Sequence, residues 1–155
     1  MKMKKILLAA VLALSFVGGA NAAADKIDGS HTQVQFTYSH FGFSNITGRF
    51  DTVTGTFDFD AAKPENSSIS VEIPISSLST GVTKLDDHMR SPDFFDAAQF
   101  PTATFKSTKV TATGEGKLDV AGDLTIHGVT RPVVLAVTIN KIGKNNQRSP
   151  IRSLK

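Results

Sequence analysis

The chain has 155 residues, of which 17 are Lys or Arg and 14 are Asp or Glu, and it contains no cysteine and no tryptophan. The lack of cysteine excludes disulfides, thiol catalysis, cysteine-ligated zinc and iron–sulfur clusters, so stability must come from burial and backbone pairing. The length is that of one domain with a sizeable core.

The first 22 residues have the three-part pattern of a secretory signal peptide. Three lysines before residue 6 precede an apolar run over residues 6–17, and Ala20-Asn21-Ala22 fits a small-residue cleavage site. The run is too short to span a bilayer, and no later stretch reaches about 18 apolar residues. We therefore expect cleavage near Ala22, a location in a bacterial periplasm, and a single domain over residues 23–155.

The charge of the expected mature chain differs from that of the whole chain. Residues 23–155 contain 14 basic and 14 acidic residues, so the overall basic charge gives no reason to expect nucleic-acid binding. The distribution is uneven: residues 141–155 hold five basic residues and no acid, which leaves an acidic body and a divergent basic tail.

Alternation of polar and apolar residues dominates the chain after residue 33 and predicts half-buried strands. A turn near residues 44–48 is expected to separate the first two strands. Gly55 suggests a bend or bulge, and Pro74 suggests a sheet edge or a bulge. Gly114-Glu115-Gly116 and His127-Gly128 are expected to form turns. The predicted strands cover residues 34–39, 49–60, 69–76, 102–107, 109–113, 118–126 and 131–139.

Residues 83–98 interrupt this alternation with helical spacing. Ser91-Pro92-Asp93 fits the start of a helix, with Ser as the cap and Pro at the first position. Asp87 and Arg90 are spaced to form an ion pair on one helical turn. The charged side chains of this segment would keep one side of a short helix in water, while Met89, Phe94 and Phe95 face an apolar interior. We therefore predict that the segment forms a lid across the mouth of a barrel.

Ten of the 11 phenylalanines lie between residues 36 and 105. Two interpretations stay open: the rings fill an ordinary core, or they line a closed barrel that holds an apolar ligand. Regularly spaced strands with one helical insertion favour a sandwich or a barrel in either case.

Catalytic and metal motifs are scarce. Asp28, Ser30 and His31 could form a triad only if they met in space, which adjacent strand residues do not. His88 with a neighbouring aspartate could bind a divalent metal if His40 or His127 approached, but the spacing matches no ligand pattern. We expect no metal site.

Three blocks of sequence resemble the YceI-like family of exported lipid-binding proteins. They are IDGSHTQVQFTYSHFGFSNITGRF, SSLSTGVTKLDDHMRSPDFFDAAQFPTATFKST and GDLTIHGVTRPVVLAV, and the second is the most specific. The resemblance covers residues 27–140. It implies an all-β, antiparallel, lipocalin-like β-barrel with a short helical lid and an elongated cavity for an isoprenoid lipid, such as a polyprenyl phosphate or an isoprenoid quinone. It implies no catalysis, no cofactor and no metal.

The resemblance also implies a set of ligand-contacting residues at the apolar strand and lid positions. His40, His88 and Arg90 are the candidates for contact with a polar head group, Arg90 through a phosphate fork. The expected lipid-contacting residues are Phe36, Tyr38, Phe41, Phe43, Phe57, Phe59, Ile73, Ile75, Met89, Phe94, Phe95, Phe100 and Phe105.

The chain departs from the family pattern in its tail. Where family members continue with further strands, residues 141–155 are short, basic and without alternation, so we expect an incompletely closed barrel. The leading hypothesis is a periplasmic carrier or store for an isoprenoid lipid, with transient membrane contact, as a monomer or homodimer. The alternatives are a packed interaction module of the same fold, or a lipid-modifying enzyme that uses His88.

Overall fold

The structure is a computed structural model that describes residues 24–143 and 153–154. It contains ten strands, one α-helix (α1, Thr83–Arg90) and two short 3-10 turns, Pro64–Asn66 and Ile75–Ser77. The strands are β1 Asp25–Lys26, β2 Val34–His40, β3 Ser44–Phe50, β4 Thr54–Asp58, β5 Ser68–Pro74, β6 Leu78–Ser79, β7 Thr102–Gly114, β8 Lys117–Ile126, β9 Val129–Lys141 and β10 Ser153–Leu154.

The strands form two antiparallel sheets. The larger sheet has the order β1-β4-β5-β7-β8-β9-β10, and the smaller has the order β2-β3-β6. This confirms the expected all-β antiparallel architecture. In the part of the chain that the structure describes, the strands do not close into one ring, as the short tail suggested.

Alternating burial shows why these segments form strands around an interior. In β8, Leu118 and Val120 are buried while Lys117 and Asp119 are exposed. Successive residues of a strand point to opposite faces of the sheet, so the apolar positions collect on the inner face.

Buried side chains form two clusters inside the fold. The first lies at the end where α1 packs, and its members are Phe50, Val53, Ile73, Ile75, Leu78, Met89 and Ala103. The second lies on the inner face of β7 and β8 and consists of Phe105, Val110, Leu118 and Val120. Val71 packs against both clusters, so the core is continuous. Full burial of each large apolar side chain stabilises the fold by about 1.5–3 kcal/mol.

The turn expected near residues 44–48 is wrong, because the chain reverses three residues earlier. Phe41 and Gly42 have positive φ angles of 53° and 79°, and the Phe43 N–H donates to the His40 carbonyl at 3.0 Å. The strand expected over residues 49–60 is accordingly divided between β3 and β4.

The helix start expected at Ser91 is also wrong. Ser91 follows the carboxyl end of α1, and its N–H donates to the His88 carbonyl. The N–H groups of Phe95 and Ala97 then donate to the carbonyls of Met89 and Arg90. The segment folds back to satisfy the last carbonyls of α1, which would otherwise lack partners, instead of starting a second helix.

Two further expectations about the strands are corrected. Residues 102–113 form one strand, β7, with a register shift between Ser107 and Lys109, rather than two strands. Pro74 lies neither at a sheet edge nor at a bulge, because β5 pairs with both β4 and β7 without a register shift. Pro74 is the last residue of β5, beyond the end of the β4 pairing, where its missing N–H breaks no ladder bond. Both hairpin turns, at residues 114–116 and 127–128, are confirmed.

Gly55 marks a close approach of backbones rather than a bulge. Its φ is 151°, and a Cβ at this position would lie 2.1 Å from the Ser70 carbonyl oxygen of the paired strand.

We expect Gly55→Ala to lower the free energy of unfolding by about 2 kcal/mol, because both the backbone conformation and the lack of space oppose a side chain. Urea denaturation measures the loss. Gly143→Ala is the control, since nothing lies within 4 Å of its Cβ, and equal stability of the two variants would contradict the argument.

Candidate functional site

Two charged side chains of α1, Asp86 and Arg90, bind the helix to residues 78–80 at the end of β6. The Asp86 carboxylate accepts hydrogen bonds from both the N–H and the hydroxyl of Thr80, each at 2.6 Å. Arg90 contacts Asp87 at 3.2 Å, which confirms the expected ion pair, and also donates to the Leu78 carbonyl at 2.9 Å. These contacts position the helix, while Asp87, His88 and Asp93 remain exposed.

The hydrogen bond from the Thr80 hydroxyl is the main cause that holds the pKa of Asp86 below its ordinary value of 3.8, and the Thr80 backbone N–H adds to it. Hydrogen bonds to a carboxylate favour its charged form.

The three head-group candidates do not converge. His40 ends β2 and stacks edge-on against the Phe41 ring at 4.9 Å. His88 is exposed, lies 3.5 Å from an Asp93 carboxylate oxygen, and contacts the Phe94 ring. Arg90 is committed to Asp87 and Leu78. None of the three lines the groove described below, so their contact with a head group stays a prediction.

The apolar side of the helical segment is densely packed. The rings of Phe36, Phe50 and Phe95 contact one another in pairs, with centroids 5.6–6.2 Å apart. Met89 is buried in the same cluster. The helix therefore covers a filled end of the fold.

An apolar groove lies at the other end, on the inner face of the larger sheet. Its empty space is about 560 Å³, a figure that includes open solvent, so it is a shallow open groove rather than an enclosed cavity. No residue of α1 lines it. Its lining residues are Phe57, Asp58, Phe59, Ser67, Ser68, Ile69, Val110, Leu118, Val120, Leu135, Val137, Ile139 and Ile142.

The groove is open along β9. Leu135 and Val137 belong to the inward-facing set of that strand, yet Leu135 is 42% exposed. Among the described residues no element covers this face, so apolar side chains that a closed barrel would bury are in contact with water.

Of the thirteen residues expected to contact lipid, the structure places only Phe57 and Phe59 on the groove. Phe36, Tyr38 and Phe95 pack against the helix-end cluster, to which Ile73, Ile75 and Met89 belong. Phe105 belongs to the second cluster.

The remaining four lie away from the interior. Phe94 is 44% exposed, and Phe100 packs against the His127 ring. Phe41 and Phe43 are 85% and 88% exposed because they occupy the turn between β2 and β3. Their contact with a ligand stays a prediction.

Sequence reasoning missed the aliphatic wall of the groove. Its members come from β5, β7, β8 and β9, and the signal was the alternation of Leu118 with Val120 and of Leu135 with Val137. That alternation identifies an inward face. It does not tell which inward residues remain uncovered.

Asp28, Ser30 and His31 do meet, because they lie in a turn after β1 rather than in a strand. His31 Nδ1 lies 2.8 Å from the Asp28 carboxylate and 3.1 Å from the Ser30 hydroxyl. A catalytic triad needs opposite ring nitrogens for these two contacts, so this arrangement is not one. Hydrogen bonds from Ser30, and then His31, lower the Asp28 pKa to about 2.

Within the described residues, no three His, Asp or Glu side chains lie together in a position to hold a metal ion. No helix in residues 24–143 is long and apolar enough to cross a membrane.

The fold and the groove together define an open, lipocalin-like antiparallel β-barrel. The family model described as "YceI-like domain" matches residues 26–152, and the chain belongs to that family. A relative described as UPF0312 protein, from Pseudomonas savastanoi pv. phaseolicola, is 47% identical over 147 residues, which cover 92% of this chain and 77% of the relative.

Solved structures support the same fold. BcnA of Burkholderia cenocepacia matches with a TM-score of 0.71 and 30% identity, over 76% of this chain and 73% of BcnA. A polyisoprenoid binding domain from Saccharophagus degradans, implicated in plant cell wall breakdown, matches with a TM-score of 0.50 and 20% identity, over 72% of this chain and 62% of that domain. The second match, at this identity, supports the fold alone.

The lowered pKa of Asp86 predicts a pH dependence of stability. A carboxyl whose pKa is depressed by folding stabilises the protein above its unfolded pKa of 3.8, and this contribution is lost as the pH falls through the lower folded value. At neutral pH we expect the wild type to have a higher midpoint of thermal unfolding than Asp86→Asn. The difference between the two midpoints should shrink below pH 3.8. Asp87→Asn, which alters only an exposed ion pair, is the control. A difference that persists undiminished at lower pH would contradict the assignment.

Proposed function

We propose that the protein binds an isoprenoid lipid in the apolar groove and carries or stores it without chemical turnover. The observation that carries this proposal is the groove itself, in which ten of the thirteen lining residues are apolar. Transfer of an apolar chain from water to such a surface is favourable by about 25 cal/mol per Å² buried. Membership of the YceI-like family supports the proposal.

The groove favours a neutral head group. Its three polar lining residues are Asp58, Ser67 and Ser68, and within the described residues no basic side chain lines it. Recognition of a phosphate normally uses Arg, Lys or a set of backbone N–H donors, and an acidic neighbour opposes it. We therefore propose an isoprenoid quinone in preference to a polyprenyl phosphate as the ligand.

The pattern of residues 1–22 supports a periplasmic location for this activity. A lipid with a long apolar tail crosses an aqueous compartment only when its tail is covered. A groove of this kind supplies the cover, and transient contact with a membrane would load and unload it.

A pair of variants on β9 tests the site. We expect Leu135→Glu to weaken binding of a radiolabelled isoprenoid quinone at least about tenfold, because a charge against the bound tail would be poorly solvated. Val134→Glu is the matched control, since Val134 is the preceding residue, 63% exposed, and points to the opposite face of the sheet. Equilibrium binding in dilute detergent measures both variants.

The outcomes separate the parts of the proposal. Equal binding by the two variants would exclude the groove as the site, and absence of binding by the wild type would overturn the function. Unlabelled polyprenyl phosphate that competes better than unlabelled quinone would overturn the preference for a neutral head group. Native mass spectrometry of protein gently released from its host provides an independent check, since a retained isoprenoid adduct is expected.

A further inference from the structure

The tip of the β2–β3 hairpin exposes two aromatic rings that are separated by one residue in the sequence. Phe41 and Phe43 are 85% and 88% exposed, the highest values among the exposed large apolar side chains of the described residues. They flank Gly42 at the point where the hairpin turns. Large apolar side chains held this far into solvent usually indicate an interaction site.

The hairpin presents these rings on an ordered support. β2 and β3 pair without interruption from Val34–Phe50 to His40–Ser44. The turn itself is fixed by the N–H of Phe43, which donates to the His40 carbonyl, and by the N–H of Gly42, which donates to the Ser39 hydroxyl at 3.2 Å.

The conformation of Phe41 is costly for its residue type. Its φ of 53° lies in the left-handed region, which glycine and asparagine adopt with less strain than a bulky side chain. Local strain of this kind is found where a side chain has a function. The Phe41 ring contacts the His40 ring and is otherwise directed to solvent, so it is available to a partner.

We propose that this tip, Phe41-Gly42-Phe43, inserts into the interfacial region of a lipid bilayer. Aromatic side chains at the end of a narrow loop suit the headgroup boundary of a membrane. A stable protein partner would need about 800 Å² of surface on each side, whereas two Phe side chains supply about 300–500 Å². The size and shape of the tip therefore favour a lipid surface over a protein.

Charge supports the same partner. Residues 33–50 contain no Asp or Glu, although residues 23–140 as a whole contain 14 acidic and nine basic residues. The hairpin is thus free of the excess negative charge that anionic lipids would repel. The proposal depends on the tip alone and holds whether or not the groove binds a lipid.

The absence of tryptophan from the chain allows a local test. Phe43→Trp places a single tryptophan at the tip, and Val134→Trp places one at an exposed position on the outer face of β9 as the control. Both full-length variants are mixed with vesicles of phosphatidylethanolamine and phosphatidylglycerol. We expect a blue shift, and quenching by brominated lipid, for Phe43→Trp only. If the protein attached to vesicles through another segment, the emission of Phe43→Trp would not change.

Vesicle co-flotation gives a second measurement. We expect Phe41→Asn to keep or raise the midpoint of thermal unfolding while reducing vesicle binding, because it relieves strain and removes a ring. Phe41→Asn combined with Phe43→Ser should reduce the binding at least about tenfold, and Val134→Ser should leave it unchanged.

Three results would overturn the proposal. One is the same emission of Phe43→Trp with and without vesicles. The second is equal flotation of the double variant and the wild type. The third is a blue shift that grows with protein concentration in the absence of vesicles, which would assign the tip to a protein contact.

Discussion

The contact among the rings of Phe36, Phe50 and Phe95 joins the three parts of this fold. Phe36 and Phe50 come from the smaller sheet, and Phe95 comes from the segment that folds back on α1. Ile73 and Ala103 of the larger sheet belong to the same cluster. Each pair of rings adds about 0.5–1.5 kcal/mol to the stabilisation from burial alone. The helix is held over this end by hydrogen bonds from Thr80 to Asp86 and from Arg90 to the Leu78 carbonyl. Among the described residues no comparable contact covers the groove at the opposite end.

The strands and the hairpin turns could be predicted from sequence because they depend on local patterns. Alternating apolar residues define β8 and β9, and the glycines of residues 114–116 and 127–128 mark the reversals between the long strands. The wrong predictions concern segments whose conformation is determined by contacts with other parts of the chain. Asn45, Thr47 and Gly48 favour a turn, but the ladder between β2 and β3 places them in a strand. Ser91 and Pro92 favour a helix start, but the N–H groups of the following segment donate hydrogen bonds to the last carbonyls of α1 instead.

The site was harder to predict than the fold for a related reason. Residue type suggested that phenylalanines would line the cavity, and two of them do. Phe36, Phe95 and Phe105 pack in the core instead, where ring contacts and burial stabilise the fold. Phe41, Phe43 and Phe94 are exposed. The exposure of Leu135 depends on whether another element packs on β9. The alternating pattern of β9 itself does not predict whether such an element is present. The same limit applies to Phe41 and Phe43, whose exposure follows from a turn that was placed three residues too late.

The unequal closure of the two ends implies unequal local stability. Backbone amides that belong to β3 and β5 near the packed rings should open to hydrogen exchange only when the whole domain unfolds. Amides of β9 beside the groove should exchange through smaller openings, because few buried apolar contacts resist them. An occupant of the groove would supply those missing contacts, and RT ln(1 + [L]/Kd) gives the stability it would add. The ligand-bound and ligand-free proteins would then differ more in the cooperativity of unfolding than in shape. A protease that cleaves β9 should cut the ligand-free protein faster.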